Sequence, residues 1–151
     1  MKKATTHSIV ALLFGAVGMY VFFAVIGVVS VISMKQGLER WVFYLPKSFQ
    51  ETAFLAHSNV EGLLVSLAVF GSTGIFLGRI VENKPMLFGF IEFIGATTFY
   101  FVYHYLALRG DFLWIENVPA WSQLLPFCIW LLICLTAPMV GNSKFKRHLT
   151  H

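Results

Sequence analysis

Four long apolar runs, at about residues 8–34, 52–78, 86–108 and 124–140, alternate with short polar and aromatic stretches along the chain. A helix needs roughly 20 apolar residues to cross the hydrocarbon core of a bilayer, and each run falls in or above that range. Inside lipid the backbone must satisfy its own hydrogen bonds, so isolated runs of this kind are helical. The pattern predicts an all-α integral membrane four-helix bundle, a single domain over residues 1–151 with no stretch left for a soluble one. The first run follows Lys2 and Lys3, as in a signal peptide, but it is far longer than a signal h-region and lacks an Ala-x-Ala site. It is read as a retained helix.

Composition agrees: 58% of residues are hydrophobic, 12% are charged and the mean hydropathy is +0.75. Lys2, Lys3, Arg79, Lys84, Lys144, Lys146 and Arg147 fall on one side of the alternating spans, against Lys35, Arg40, Lys47 and Arg109 on the other. The positive-inside rule then puts both termini in the cytoplasm. The net charge of +4 is thus a topology signal, and a nucleic-acid partner is not expected. Cys128 and Cys134 have neither C-x-x-C nor metal-ligand spacing and are expected to pack on different faces of the fourth helix.

The segments 35–51 and 109–123 carry Trp41, Phe43, Tyr44, Phe112, Trp114 and Trp121. They read as an aromatic belt at the outer interface, with a cap over a cavity as the alternative. The short connection 79–85 predicts that helices 2 and 3 are antiparallel neighbours. With a rise of about 1.5 Å per residue, positions whose numbers total roughly 164 share a depth. His104 should then lie beside Val60, near His57 and Glu61, and Glu92 opposite Ser72 and Thr73. Phe14-Gly15-x-x-Gly18 resembles Phe70-Gly71-x-x-Gly74, as a shared packing solution or a trace of duplication. Gly74 and Gly78 offer a small-residue face for close helix approach, within a protomer or between copies.

Candidate chemistry centres on Ala56-His57-Ser58-Asn59-Val60-Glu61-Gly62. His57 and Glu61 are four apart and share a helical face, so they can engage a metal, a cofactor or each other. Ionisable groups within a span are costly and point to a site, although the wet end of a helix also accommodates them. His104 follows an aromatic run and is a second candidate. Glu92 is read either as a structural carboxyl bonded to hydroxyls or as a proton-carrying group. His7, His148 and His151 belong to the tails.

Ala56-His57-Ser58, Glu61-Gly62, Phe99-Tyr100-Phe101 and the Arg109-Gly110 turn resemble the styrene oxide isomerase family of bacterial membrane enzymes. The resemblance implies a homotrimer in the bacterial inner membrane with haem b between subunits. It implies His57 as the ligand of the haem iron and a catalytic set of Tyr100, Glu61 and Asn59. The activity implied is Lewis-acid rearrangement of an epoxide to a carbonyl compound, with a hydrophobic small molecule as substrate and lipid as surroundings. The chain departs from the family in being about two residues shorter between His57 and Gly62, in lacking its Gly-Pro, and in placing Glu61 where the family has an asparagine. Ala-His-x-Asn also resembles helix 2 of the glutathione-using membrane enzymes, without the basic residues expected to grip glutathione. The competing class is a non-enzymatic inner-membrane protein: a haem-based sensor, a small-molecule carrier, or the membrane subunit of a defence or immunity pair.

Overall fold

The computed structural model describes residues 2–37, 40–81, 83–107 and 120–142. Among them the chain forms α1 (Lys2–Gln36), a 3-10 turn (Arg40–Tyr44), α2 (Lys47–Ile80), α3 (Pro85–Ala107) and α4 (Ala120–Gly141). All four α-helices are long and apolar enough to cross a membrane. Arg109, most of the expected second aromatic segment and the basic tail from Lys144 to His151 lie outside the described residues.

The helices run past the expected boundaries for local reasons. Gly37, at φ +66, takes the left-handed conformation that closes α1, its N–H bonding the Met34 carbonyl at 3.1 Å. Pro85 opens α3 at the position where a missing N–H costs nothing. Because α1 begins at Lys2, His7 is part of the bundle, its ring edge-on to Phe88 at 5.8 Å. The α2 helix begins at Lys47, so His57 lies about three turns inside it rather than at its mouth.

The short α2–α3 connection does not make neighbours of those two helices. Around the bundle the order is α1, α2, α4, α3, with α2 and α3 on a diagonal. The two closest pairs are parallel: α1 with α3, and α2 with α4. Glycines decide this. A Cβ on Gly15 would overlap the Glu92 carbonyl, and one on Gly95 would overlap that of Leu12, so α1 and α3 touch backbone to backbone. Gly78 meets the Pro138 carbonyl and Gly141 that of Ile75, closing α2 on α4 in the same way. Backbone approach of this kind maximises dispersion contact where lipid offers no hydrophobic driving force. The Gly74–Gly78 face is therefore used inside the protomer.

The repeated Phe-Gly-x-x-Gly motifs do different work. Gly15 and Gly18 receive Glu92 and the Phe70 ring, whereas Gly71 faces open space and Gly74 meets Ala137.

The start of α1, the 81–85 connection and the end of α4 share one end of the bundle, where the buried Asn142 side chain donates to the Val81 carbonyl at 2.8 Å. At the other end Trp41, Phe43 and Tyr44 are exposed, as an interfacial belt requires. Cys128 is exposed and Cys134 buried, on different faces as expected.

Candidate functional site

His57, Asn59, Glu61, Tyr100 and His104 are expected from the sequence to share one neighbourhood. The structure divides them into three settings. His57 and Glu61 pair across one helical turn, with Nε2 3.2 Å from the Glu61 Oε1. The same nitrogen lies 3.3 Å from the Oγ of Ser33, which is buried on α1, and the ring is edge-on to Trp41 at 6.2 Å. A serine, a histidine and a carboxylate together suggest a nucleophilic relay, but a relay needs the carboxylate on one ring nitrogen and the hydroxyl on the other. Here both partners meet Nε2, an arrangement that ties α2 to α1.

His104 is not part of that pair and packs behind the cavity wall, its ring 4.3 Å from that of Tyr100 and 5.9 Å from that of Phe23. Its expected place beside Val60 follows from adjacency of α2 and α3, which the glycine contacts preclude. Among the described residues no group of three or more His, Cys, Asp or Glu side chains is arranged to hold a metal ion.

The remaining candidates, Asn59 and Tyr100, line a half-open cavity of about 240 Å³ to which all four helices contribute. Phe22 and Ile26 come from α1, Leu63 and Gly62 from α2, and Phe127 and Trp130 from α4. Among the described residues the wall carries Ser58, Asn59, Ser66 and Tyr100 as polar groups and no charged side chain. Among the described residues neither His57 nor Glu61 lines it, and nor does any residue of the 3-10 turn.

Trp130 and Ser66 form the floor. The indole Nε1 donates to the Ser66 Oγ at 2.9 Å, and that hydroxyl donates to the Gly62 carbonyl at 2.6 Å. This chain of bonds satisfies the buried indole. Beneath it Phe70 packs against Phe22 and Trp130, with ring centroids 6.1 and 6.0 Å away. Deeper again, the fully buried Glu92 accepts a hydrogen bond at 2.6 Å from Thr73, one of the two hydroxyls expected opposite it. Ser72, the other, is exposed and bonds the Ala68 carbonyl of its own helix.

No known protein family, curated protein or solved structure matches this chain. The chemistry of the cavity carries the functional reading.

Sequence reasoning missed Ser33, Ser66, Phe22 and Trp130. A signal existed for two of them. Trp130 interrupts an apolar run far from either interface, where indoles are usually found, and Ser66 lies seven residues from both Asn59 and Thr73.

Proposed function

We propose that this protein is a multi-pass protein of the bacterial inner membrane, with both termini cytoplasmic, that binds a small neutral molecule in the four-helix cavity. The observation that carries this reading is the wall itself: aromatic and aliphatic surface, three kinds of neutral hydrogen-bonding group, and no charge among the described residues. Such a site favours an apolar body, preferably aromatic, with one or two hydrogen-bonding atoms for Asn59, Ser58 or Tyr100 to orient. A volume of about 240 Å³ restricts it to molecules below ordinary drug size. The wall suits a carrier or sensor, and equally an enzyme acting on a hydrophobic substrate.

Trp130 reports on the site directly. Titration of the purified protein with styrene oxide, and separately with its diol, should change tryptophan emission saturably. The change should disappear in Trp130→Phe and weaken at least tenfold in Gly62→Leu, which grows a side chain into open space at the wall. A linear, non-saturating response identical in all three proteins would sink the proposal.

A second reading, a homotrimeric haem b-dependent epoxide isomerase with His57 as iron ligand, is favoured by one observation. The His57 side chain is 20% exposed outside the cavity, where a group held between copies would lie. Within one chain the residues do not fit that group, since Nε2 is engaged by Glu61 and Ser33 while Tyr100 and Asn59 open onto the cavity. The absorption spectrum of protein expressed with haem precursor decides. A Soret band lost in His57→Ala, with carbonyl product formed from styrene oxide, would establish it, and a colourless folded protein would remove it.

A further inference from the structure

Glu92 is placed where no packing role requires a carboxyl. It is fully buried on α3, between the two glycine-closed helix pairs, and only one of its oxygens is used. Oε1 accepts from Thr73, while Oε2 has no hydrogen-bond partner and lies 3.5 Å from where a Cβ on Gly74 would stand. Among the described residues the elements packed around it bring no cation. From α1 comes Gly15, from α2 Thr73 and Gly74, and from α4 the cysteine Cys134 with Ala137 and Pro138. Among the described residues Glu92 and Cys134 are the only buried titratable side chains. An ionised carboxylate here would be an unpaired charge in a low-dielectric core, so the resting group is the neutral acid.

The acid is not isolated from the cavity. Asn59, Ser66 and Thr73 recur at intervals of seven along α2. Seven residues are almost two helical turns, so the three fall on one inward stripe spanning roughly 20 Å of membrane depth. Asn59 stands in the cavity wall, Ser66 holds the Trp130 floor, and Thr73 holds Glu92. A single rigid helix therefore carries the groups that contact both places, with the Phe22–Phe70–Trp130 cluster as the barrier between them.

We propose that Glu92 is a proton-exchange site inside the bundle, coupled to the cavity through the Asn59–Ser66–Thr73 stripe of α2. When the aromatic barrier opens, the O–H bond of the acid breaks and the proton passes to water admitted from the cavity. The carboxylate keeps the Thr73 hydrogen bond, and the reverse step restores the acid. The coupling rests on the cavity reading above, whereas the proton site does not.

The test uses the proton itself as ligand. Full-length protein in liposomes is titrated while the infrared carbonyl band of protonated carboxyls and Trp130 emission, taken as the difference from Trp130→Phe, are recorded together. Expected at neutral pH is a band absent from Glu92→Gln that shifts on exchange into D2O. Raising the pH should bleach it reversibly, with Trp130 emission moving at the same midpoint, and Cys134→Ala should keep both signals. A band that neither exchanges nor bleaches before the protein unfolds overturns the proton site. A Trp130 change that persists in Glu92→Gln overturns the coupling.

Should Glu92→Gln fail to fold, Thr73→Val keeps the carboxyl and removes its one hydrogen-bond donor. Band and midpoint must then both shift, and an unmoved midpoint overturns the proposal. Because no organic ligand enters this titration, its failure and the failure of the styrene oxide titration are separate results.

Discussion

At the scale of residues, glycine positions separate into those that set a helix contact and those that do not. A Cβ at Gly78 would overlap the Pro138 backbone, while one at Gly71 would meet nothing within 4 Å. Replacing glycine by alanine in a helix gains up to about 1 kcal/mol of propensity. Gly71→Ala should accordingly be neutral or slightly stabilising. Gly78→Ala must force α2 from α4 and should lose about 1–3 kcal/mol, the usual cost of overpacking. Unfolding by denaturing detergent measures the difference, and equal behaviour of the two variants would remove the basis for the pairing described above. Neighbouring residues also show what could be read in advance. The His57–Glu61 pair follows from spacing alone, and the Glu92–Thr73 bond from depth arithmetic, because both depend on the rise of a helix. Ser33 beside His57 depends on how α1 rotates against α2, which no local pattern encodes.

At the scale of elements, the spans themselves were legible because membrane thickness fixes their length, and apolar runs of about 20 residues suit a helix and not the shorter strands of a barrel. Their ends were less so, and α2 exceeds its apolar run by more than a turn at its start, where Lys47, Ser48 and Phe49 continue the helix toward the interface. The α2–α3 adjacency expected from their short connection is not the pairing the helices adopt. Connection length limits distance only at the joined ends, while backbone contact through Gly15, Gly95, Gly78 and Gly141 sets the packing along the rest. Cysteine pairs expose the distinction. In a background lacking Cys128 and Cys134, Tyr20→Cys with Phe99→Cys, whose native rings lie 6.4 Å apart, should cross-link α1 to α3 with a short bifunctional reagent. Phe76→Cys with Phe90→Cys, at matching depths on α2 and α3, should not. Phe76 instead faces Phe14 of α1, at 5.8 Å.

At the scale of the whole molecule, the bundle shows lipid a continuous apolar surface. Leu13, Leu64, Phe76 and Leu132 are all more than half exposed. In water such a surface would aggregate, while in a bilayer it is the expected exterior. The described helix ends gather the 81–85 connection with the start of α1 and the end of α4, so one orientation accounts for Lys2, Lys3, Arg79 and Lys84 together. Truncated fusions test it: alkaline phosphatase should be active when joined after Tyr44 and inactive after Lys84, and a fluorescent-protein fusion should show the reverse. Exchange of those signals would invert the proposed orientation and place the cavity end toward the cytoplasm.

The cross-paired arrangement also dictates an order of manufacture. Helices leave the ribosome in sequence, yet α1 finds its close parallel partner only when α3 arrives, and α2 only when α4 does. A nascent chain halted after two helices has its looser α1–α2 contact but neither glycine seam. Until the last span enters the membrane, the backbone strips at Gly74, Gly78 and Gly89 lack their α4 counterpart. The two glycine seams can therefore both be closed only after α4 is in place, and chains truncated before it are expected to be the more susceptible to proteolysis.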